Sequence, residues 1–292
     1  MPSRDLHRIP WLPVVRQRFQ TVEDSAVRYL KSRKDPEAMH DMRVACRRAE
    51  SALNLCRDLL PSPPSKWLRK HLRQLRRLSN VTRDHEVLQK WLKEQRSAFA
   101  RDFQKALKSE RADERVQVVE FAKDMLRGGR FADHVQRACQ IDDDRSPGRD
   151  GLRIAQRVLD ELFRFLQALP EATTRPSELH KFRIASKRLR YAIECLCEIA
   201  PKSTFSSLQR ILPPIQERLG ELHDLDVRLL CLKRWAEKFE VSGPWKETTA
   251  HSQRLLKSWQ TWWKSIAWQS ATGTAVTELL RLTGDSPSRG RK

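Results

Sequence analysis

The sequence predicts an all-α protein made of two similar halves, each a bundle of four or five helices. Glycine and proline are scarce, at 9 and 15 of 292 residues, while 39% of the residues are hydrophobic and 32% are charged. This composition favours long amphipathic helices over a turn-rich β fold. Two motifs that each occur twice, in the same order, indicate an internal duplication.

Ten segments carry apolar residues at three- and four-residue steps, and each of them predicts a helix. In the first half they are 14–33, 37–60, 65–80, 84–107 and 111–126. In the second half they are 152–169, 177–199, 205–219, 224–239 and 246–269. Residues that break helices fall between segments, at Pro36, Pro61, Pro63, Pro64, Gly128, Gly129, Pro176, Pro201, Gly243 and Pro244.

A polar stretch at 141–150 contains Pro147 and Gly148 and suits a linker between the halves. We therefore expect a first helical bundle at 8–140 and a second at 151–283. The basic segment 284–292 is expected to be a disordered tail.

Charge predicts an anionic partner. The chain has 57 Lys and Arg against 37 Asp and Glu, a formal net charge of +20, which exceeds what solubility requires. Nucleic acid, an anionic membrane surface and a phosphate polymer all fit this charge. No stretch approaches the roughly 20 apolar residues of a membrane span, and the N-terminus lacks a signal-peptide core, so we expect a cytoplasmic protein without a membrane partner.

Cysteine and histidine spacing gives no metal or cofactor site. The six cysteines form no CxxC pair and no regular framework. The histidines form neither an HxxxH nor an HExxH motif, and the pair His40-Asp41 or His223-Asp224 would supply only two ligands. We expect no metal, no cofactor and no disulfide scaffold.

The first repeated motif is His40-x-x-Arg43-x-x-x-Arg47-Arg48, which returns 140 residues later as His180-x-x-Arg183-x-x-x-Lys187-Arg188. At the same offset, Arg83-Asp84-His85-Glu86-Val87 returns as His223-Asp224-Leu225-Asp226-Val227. On a helix, the spacing of the first motif places its imidazole and cations in one row opposite an apolar face, and Arg190 extends the second row.

The segment 65–77 adds a denser row, with six cations and no acid. Like charges at i and i+4 repel, and a solvated helix face normally interleaves acids, although a single charged face is usually just solvated surface. Guanidinium groups in rows suit phosphate, because each offers a planar fork of donors. The candidate ligand-binding residues are His40, Arg43, Arg47, Arg48, Arg69, Lys70, Arg73, Arg77, His180, Arg183, Lys187, Arg188 and Arg190.

The acids of the second motif, Asp84, Asp224 and Asp226, are expected to start helices, where the positive end of the helix dipole favours them. The alternative is that they hold neighbouring arginines in position.

At both motifs, and at Leu219-Gly220-Glu221-Leu222-His223-Asp224-Leu225-Asp226-Val227, the chain resembles the CHAD family from about residue 8 to residue 283. The resemblance implies two helical bundles related by a pseudo-twofold axis. It also implies basic rows that face a central cleft or pore, binding of inorganic polyphosphate there, and association with polyphosphate granules. The ExExK motif of the triphosphatase domain fused to some members does not occur here.

One departure from the family pattern predicts asymmetry. Residues 208–214 take the place of the very basic third helix in the second half and offer one cation, Arg210. The binding surface is therefore expected to be dominated by the first half.

The sequence thus predicts a polyphosphate-binding protein without a catalytic centre, as a monomer or a homodimer. One alternative is a helical nucleic-acid-binding protein, which would also need stacking or base-reading groups beside the cations. A second is a phosphatase or nucleotidyl cyclase. We expect neither activity, since the sequence shows no P-loop, no carboxylate set for Mg²⁺ and no nucleophile paired with a base.

Overall fold

The computed structural model describes residues 11–33, 35–95, 98–140, 147–170, 175–199, 206–239 and 241–266, together with 273, 274, 276 and 277. These residues form nine α-helices and a 3₁₀ turn, without a strand, so the predicted all-α class is confirmed. The first half contains α1 (Trp11–Lys31), α2 (Pro36–Leu55), α3 (Ser62–Glu94), α4 (Ala98–Leu126) and α5 (Arg130–Ala138). The second half contains α6 (Pro147–Gln167), α7 (Pro176–Ile199), α8 (Ser206–Trp235) and α9 (Ser242–Lys264).

Several helix ends follow from the local sequence. Asp35 caps α2, where its side chain accepts the Glu37 backbone N–H at 2.9 Å and Pro36 fills the first helical position. Between α4 and α5, Gly128 and Gly129 have φ angles of +59° and +75°, a left-handed conformation that side chains disfavour. These breaks are the ones that proline and glycine predicted.

Two predicted breaks are wrong, and they are equivalent positions of the two halves. Helices α3 and α8 run without interruption through 81–83 and 220–223. The acids Asp84 and Asp224 therefore lie well inside helices and not at helix starts, so the dipole explanation for them fails. The predicted break at 108–110 is also absent, because α4 continues from Ala98 to Leu126.

The predicted linker is shorter than expected. Helix α6 already begins at Pro147, and Asp150 is buried, so the last four residues of 141–150 are helical. Residues 141–146 and the predicted tail at 284–292 lie outside the described residues.

A continuous apolar core runs through both halves. It includes Phe19 and Met42 of the first half and Phe165, Phe182 and Trp259 of the second, each at most 2% exposed. Burying a side chain of this size contributes about 1.5–3 kcal/mol. Helix α2 also packs directly against α7. The two copies of the first motif are therefore held side by side.

A smaller core, which we call the distal cluster, joins α3 and α8 farther along. It contains Leu88, Trp91, Leu92, Ala100, Phe103, Leu107, Leu232 and Trp235, contributed by α3, α4 and α8. The cluster begins one helical turn after Asp84. The packing of α2 on α7 and the distal cluster together fix where the central parts of α3 and α8 lie.

No helix in the described ranges has the length and apolarity that crossing a membrane requires.

Candidate functional site

The repeated His-Arg rows line a single cavity. His40, Arg43 and Arg47 project into it from α2, and His180, Arg183 and Lys187 from α7. The cavity, which we call the trough, has a volume of about 940 Å³ and is also lined by α3, α6 and α8. Both rows therefore line one cavity in the fold, as the family resemblance implied.

The trough is strongly basic. Among the described residues, ten arginines and lysines line it against four carboxylates, Glu50, Asp84, Glu161 and Asp224. Such an excess of convergent cations in a concave, partly desolvated surface produces a strong positive potential. A compact array of this kind suits an anion with several charges.

Buried arginines form the centre of the trough. Arg43 is only 7% exposed, and its Nη2 donates to Oδ1 of Asn80 on α3 at 2.9 Å. The Nε of Arg183 is buried and has no hydrogen-bond partner among the described residues. Burial lowers the pKa of Arg183, an effect that the nearby carboxylates of Asp224 and Asp84 oppose. A buried donor without a partner is costly, so Arg183 is suited to receive an oxygen from a ligand.

Asp84 and Asp224 lie among these arginines, one from each half. Burial raises the pKa of Asp84, the charges of Arg43 and Arg183 act in the opposite direction, and Asp224 repels it. The two acids are thus near each other; Asp84 is near both central arginines, and Asp224 is near Arg183. This supports the alternative expectation, that they hold arginines of the rows in position.

Lys187 lies in the most crowded part of the trough. Burial, followed by repulsion from Arg183, Arg47 and Arg43, lowers its pKa to about 7, while Asp224 acts in the opposite direction. The amine is therefore partly neutral near pH 7 in the unliganded protein. A bound anion would favour its charged form.

Two histidines meet at one end of the trough. The rings of His180 and His223 have centroids 5.8 Å apart. Burial, together with the charges of Arg183, His180 and Lys187, lowers the pKa of His223 to about 4. His223 is therefore neutral near pH 7 and able to accept a hydrogen bond as well as to donate one. His40, at the start of the other row, is exposed.

Four arginines that were not in the candidate set also line the trough: Arg57, Arg76, Arg157 and Arg164. All four are ion-paired at its rim: Arg76 with Glu50 at 3.2 Å, Arg164 with Glu161 at 2.6 Å, Arg57 with Asp58 at 3.4 Å, and Arg157 also with Asp58. Glu161 also pairs with Arg188 at 3.4 Å. Arg157 and Arg164 were missed because α6 carries no repeated motif; their seven-residue spacing on one helix face was the available signal.

Five candidate residues lie outside the trough. Arg48 and Arg190 both bind Glu194, at 3.1 and 2.8 Å, where α2 meets α7, and Arg190 also donates to Gln216 at 3.0 Å. Arg69, Lys70 and Arg77 line a separate shallow groove on α3. The other eight candidates line the trough: His40, Arg43, Arg47, Arg73, His180, Arg183, Lys187 and Arg188.

Among the described residues, each half contributes five arginines and lysines to the trough, so the expected dominance of the first half is wrong for this cavity. Helix α3 supplies Arg73 and Arg76 to the trough, whereas the equivalent stretch of α8 supplies Gln216 and Gly220 and no cation. Helix α6 offsets this difference with Arg157 and Arg164.

A family model for the CHAD domain matches residues 14–233, which is more than half of the chain and includes both repeated motifs. The chain belongs to the CHAD domain family. A comparison with curated proteins gave no match. Among solved structures, this CHAD chain is similar to the CHAD domain from the plant Ricinus communis, with a TM-score of 0.59, 18% identity, and 94% of this chain and 96% of the other covered. It is also similar to PptA from Streptomyces chartreusis, with a TM-score of 0.52, 14% identity, and 93% and 98% of the two chains covered.

At these identities the similarity extends to the CHAD fold and not to individual side chains. The chemistry of the trough in this member therefore has to be argued from its own residues.

Proposed function

We propose that this CHAD protein binds inorganic polyphosphate in the trough and does not turn it over. The observation that carries the proposal is that the His-Arg rows of both halves line the same cavity. A polymer with a negative charge on every unit matches closely spaced guanidinium groups better than an isolated anion does. The family relationship supports a polyphosphate-related role, and we extend the proposal to association with polyphosphate granules.

The aromatic content of the trough favours polyphosphate over nucleic acid. Apart from its histidines, Tyr191 is the one aromatic residue that lines it in the described part of the chain. Proteins that hold single-stranded nucleic acid usually stack bases on several aromatic side chains beside the cations. The trough offers positive charge and hydrogen-bond donors. These groups recognise phosphate and do not require a base.

Removal of one cation from each row tests the proposal. In the Arg47→Gln/Arg183→Gln variant we expect affinity for long-chain polyphosphate to fall at least tenfold. The slope of log affinity against log salt should decrease in magnitude by roughly two, since each phosphate contact contributes about 0.9 in B-DNA. Both quantities are obtained from filter-binding titrations at several salt concentrations.

The matched control is Arg101→Gln/Arg153→Gln, which loses the same charge from exposed positions that line none of the grooves. It should bind within about twofold of the unmodified protein, and circular dichroism should show equal helix content in both variants. Equal losses in both variants would mean that only net charge matters. Displacement of polyphosphate by duplex DNA at equal phosphate concentration would favour the nucleic-acid function instead, and release of phosphate during incubation would overturn the non-catalytic part of the proposal.

A further inference from the structure

A second basic groove lies on the outside of α3. It is lined by Lys66, Arg69, Lys70, Arg73, Gln74 and Arg77 and has a volume of about 290 Å³. These positions follow i, i+3, i+4, i+7, i+8 and i+11, so they form one face of the helix. With a rise of 1.5 Å per residue, the face extends about 16 Å along α3.

The groove adjoins the trough at Arg73, which lines both. The remaining groove residues are absent from the trough lining among the described residues. Arg73 thus marks the place where an extended anion leaves the trough and reaches the exterior of α3. We call this face of α3 the outer groove.

The cations of the outer groove differ from those of the trough rim in whether they are paired with a carboxylate. At the rim, Arg76, Arg157 and Arg164 each bind a carboxylate. No ion pair with a described residue involves Lys66, Arg69, Lys70, Arg73 or Arg77. Their positive charge is therefore available to a ligand without breaking an ion pair.

Arg69 shows how closely these charges are packed. Its Nη2 donates to the backbone carbonyl oxygen of Leu53 at 3.2 Å, which anchors the side chain. Burial, and then the charges of Arg73 and Arg57, lower the pKa of Arg69. Like charges at i and i+4 destabilise a helix by about 0.2–0.5 kcal/mol per pair, and an anion lying along the face would remove that repulsion.

We propose that the outer groove is a second binding segment for long polyphosphate, reached from the trough over Arg73 and followed along α3 toward Lys66. The inference rests on the proposed function of the trough. Short chains then occupy the trough alone, whereas long chains engage both segments. Linking the two segments through one polymer raises the effective local concentration for the second contact, so affinity increases with chain length beyond what the trough supports.

The test uses the full chain and two probes, tripolyphosphate and long-chain polyphosphate. The variant Lys66→Gln/Lys70→Gln/Arg77→Gln removes three exposed cations and retains both the anchored Arg69 and the shared Arg73. We expect its affinity for tripolyphosphate to stay within twofold and its affinity for the long chain to fall at least tenfold. The salt slope for the long chain should decrease in magnitude by roughly three.

The matched control is Arg101→Gln/Arg153→Gln/Lys257→Gln, three exposed cations outside both sites, which should leave both affinities within about twofold. The inference is overturned if the outer-groove variant binds the long chain normally, or if it loses both probes equally. It is also overturned if the variant retains long polyphosphate but loses duplex DNA, since the groove would then serve nucleic acid. Failure of the trough itself looks different: the Arg47→Gln/Arg183→Gln variant would then bind tripolyphosphate as well as the unmodified protein does.

Discussion

Lys187 is the residue at which binding and proton uptake are expected to be coupled. Its neighbours in the trough are cations from α2 and α7, opposed by a carboxylate from α8: Arg43, Arg47, Arg183 and Asp224. In the free protein these surroundings lower its pKa to about 7. Phosphate oxygens beside the amine would stabilise the ammonium form and raise the pKa again.

We therefore predict that polyphosphate binding at pH 7 takes up roughly half a proton at Lys187, because a group is half protonated when pH equals its pKa. Affinity should fall as pH rises above 7. Calorimetry in buffers of different ionisation enthalpy measures the uptake. Lys187→Met should reduce it by that amount, which isolates Lys187 from the imidazoles of His40 and His180.

The exposed Lys181 on the same helix provides the control, since Lys181→Met should leave the uptake unchanged. The stability of the free protein should also depend on pH through Lys187. The unfolded chain keeps the proton up to a pKa of about 10.5 and the folded chain only up to about 7, so stability should rise with pH between these values. Loss of that rise in Lys187→Met is expected, and an unchanged rise would contradict the assignment.

At the scale of helices, the sequence predicted elements well where periodicity was strong and failed where an acid resembled a helix start. Asp84 and Asp224 have the local features of N-terminal residues, but their carboxylates lie beside arginines that come from α2 and α7. That partnership depends on tertiary contacts, so no local pattern could separate the two interpretations. The inclusion of Arg157 and Arg164 in the trough also depends on packing, because α6 reaches it only in the folded chain.

Two glycines on different elements should respond oppositely to the same substitution. Gly220 lies inside α8, and a Cβ atom there would have nothing within 4 Å. Gly220→Ala should therefore increase the free energy of unfolding by about 0.5–1 kcal/mol. Gly128→Ala should decrease it by about 1 kcal/mol, because an L side chain disfavours φ of +59°.

Urea unfolding of the ligand-free protein measures both effects. Changes of the same sign in the free energy of unfolding of the two variants would show that backbone conformation does not control the effect at one of the two positions.

At the scale of the whole molecule, the distal cluster ties α3 of the first half to α8 of the second. Phe103 is fully buried there, with its ring centroid 5.6 Å from that of Trp235. Phe103→Ala should lower the free energy of unfolding by about 3–5 kcal/mol. Because α3 and α8 carry Asp84 and Asp224 into the trough, polyphosphate affinity should fall as well.

Phe163, which is 51% exposed on α6, provides a control of equal size change. Phe163→Ala should change stability by no more than about 0.5 kcal/mol, and polyphosphate binding should not change. If both phenylalanine variants were equally stable, the distal cluster would not be a structural connection between the halves.

The pseudo-twofold relation between the halves, which the family resemblance implies, remains a prediction. Equivalent helices do carry the rows, since α2 and α7 provide the His-Arg motifs and α3 and α8 provide the acids. The halves have diverged on α8, where Gln216 bonds to Arg190 and to the backbone oxygen of Ser186 instead of offering a cation.

The carboxylates at the trough rim have a consequence for the unliganded state. Glu161 pairs with both Arg164 and Arg188, and Glu50 pairs with Arg76, so part of the positive charge has an internal counterion when no anion is bound. Loading is then an exchange of one set of anions for another and not a rescue of an unstable fold. Under the proposed function, we expect the protein to stay folded when polyphosphate is removed and to bind it again when the supply returns.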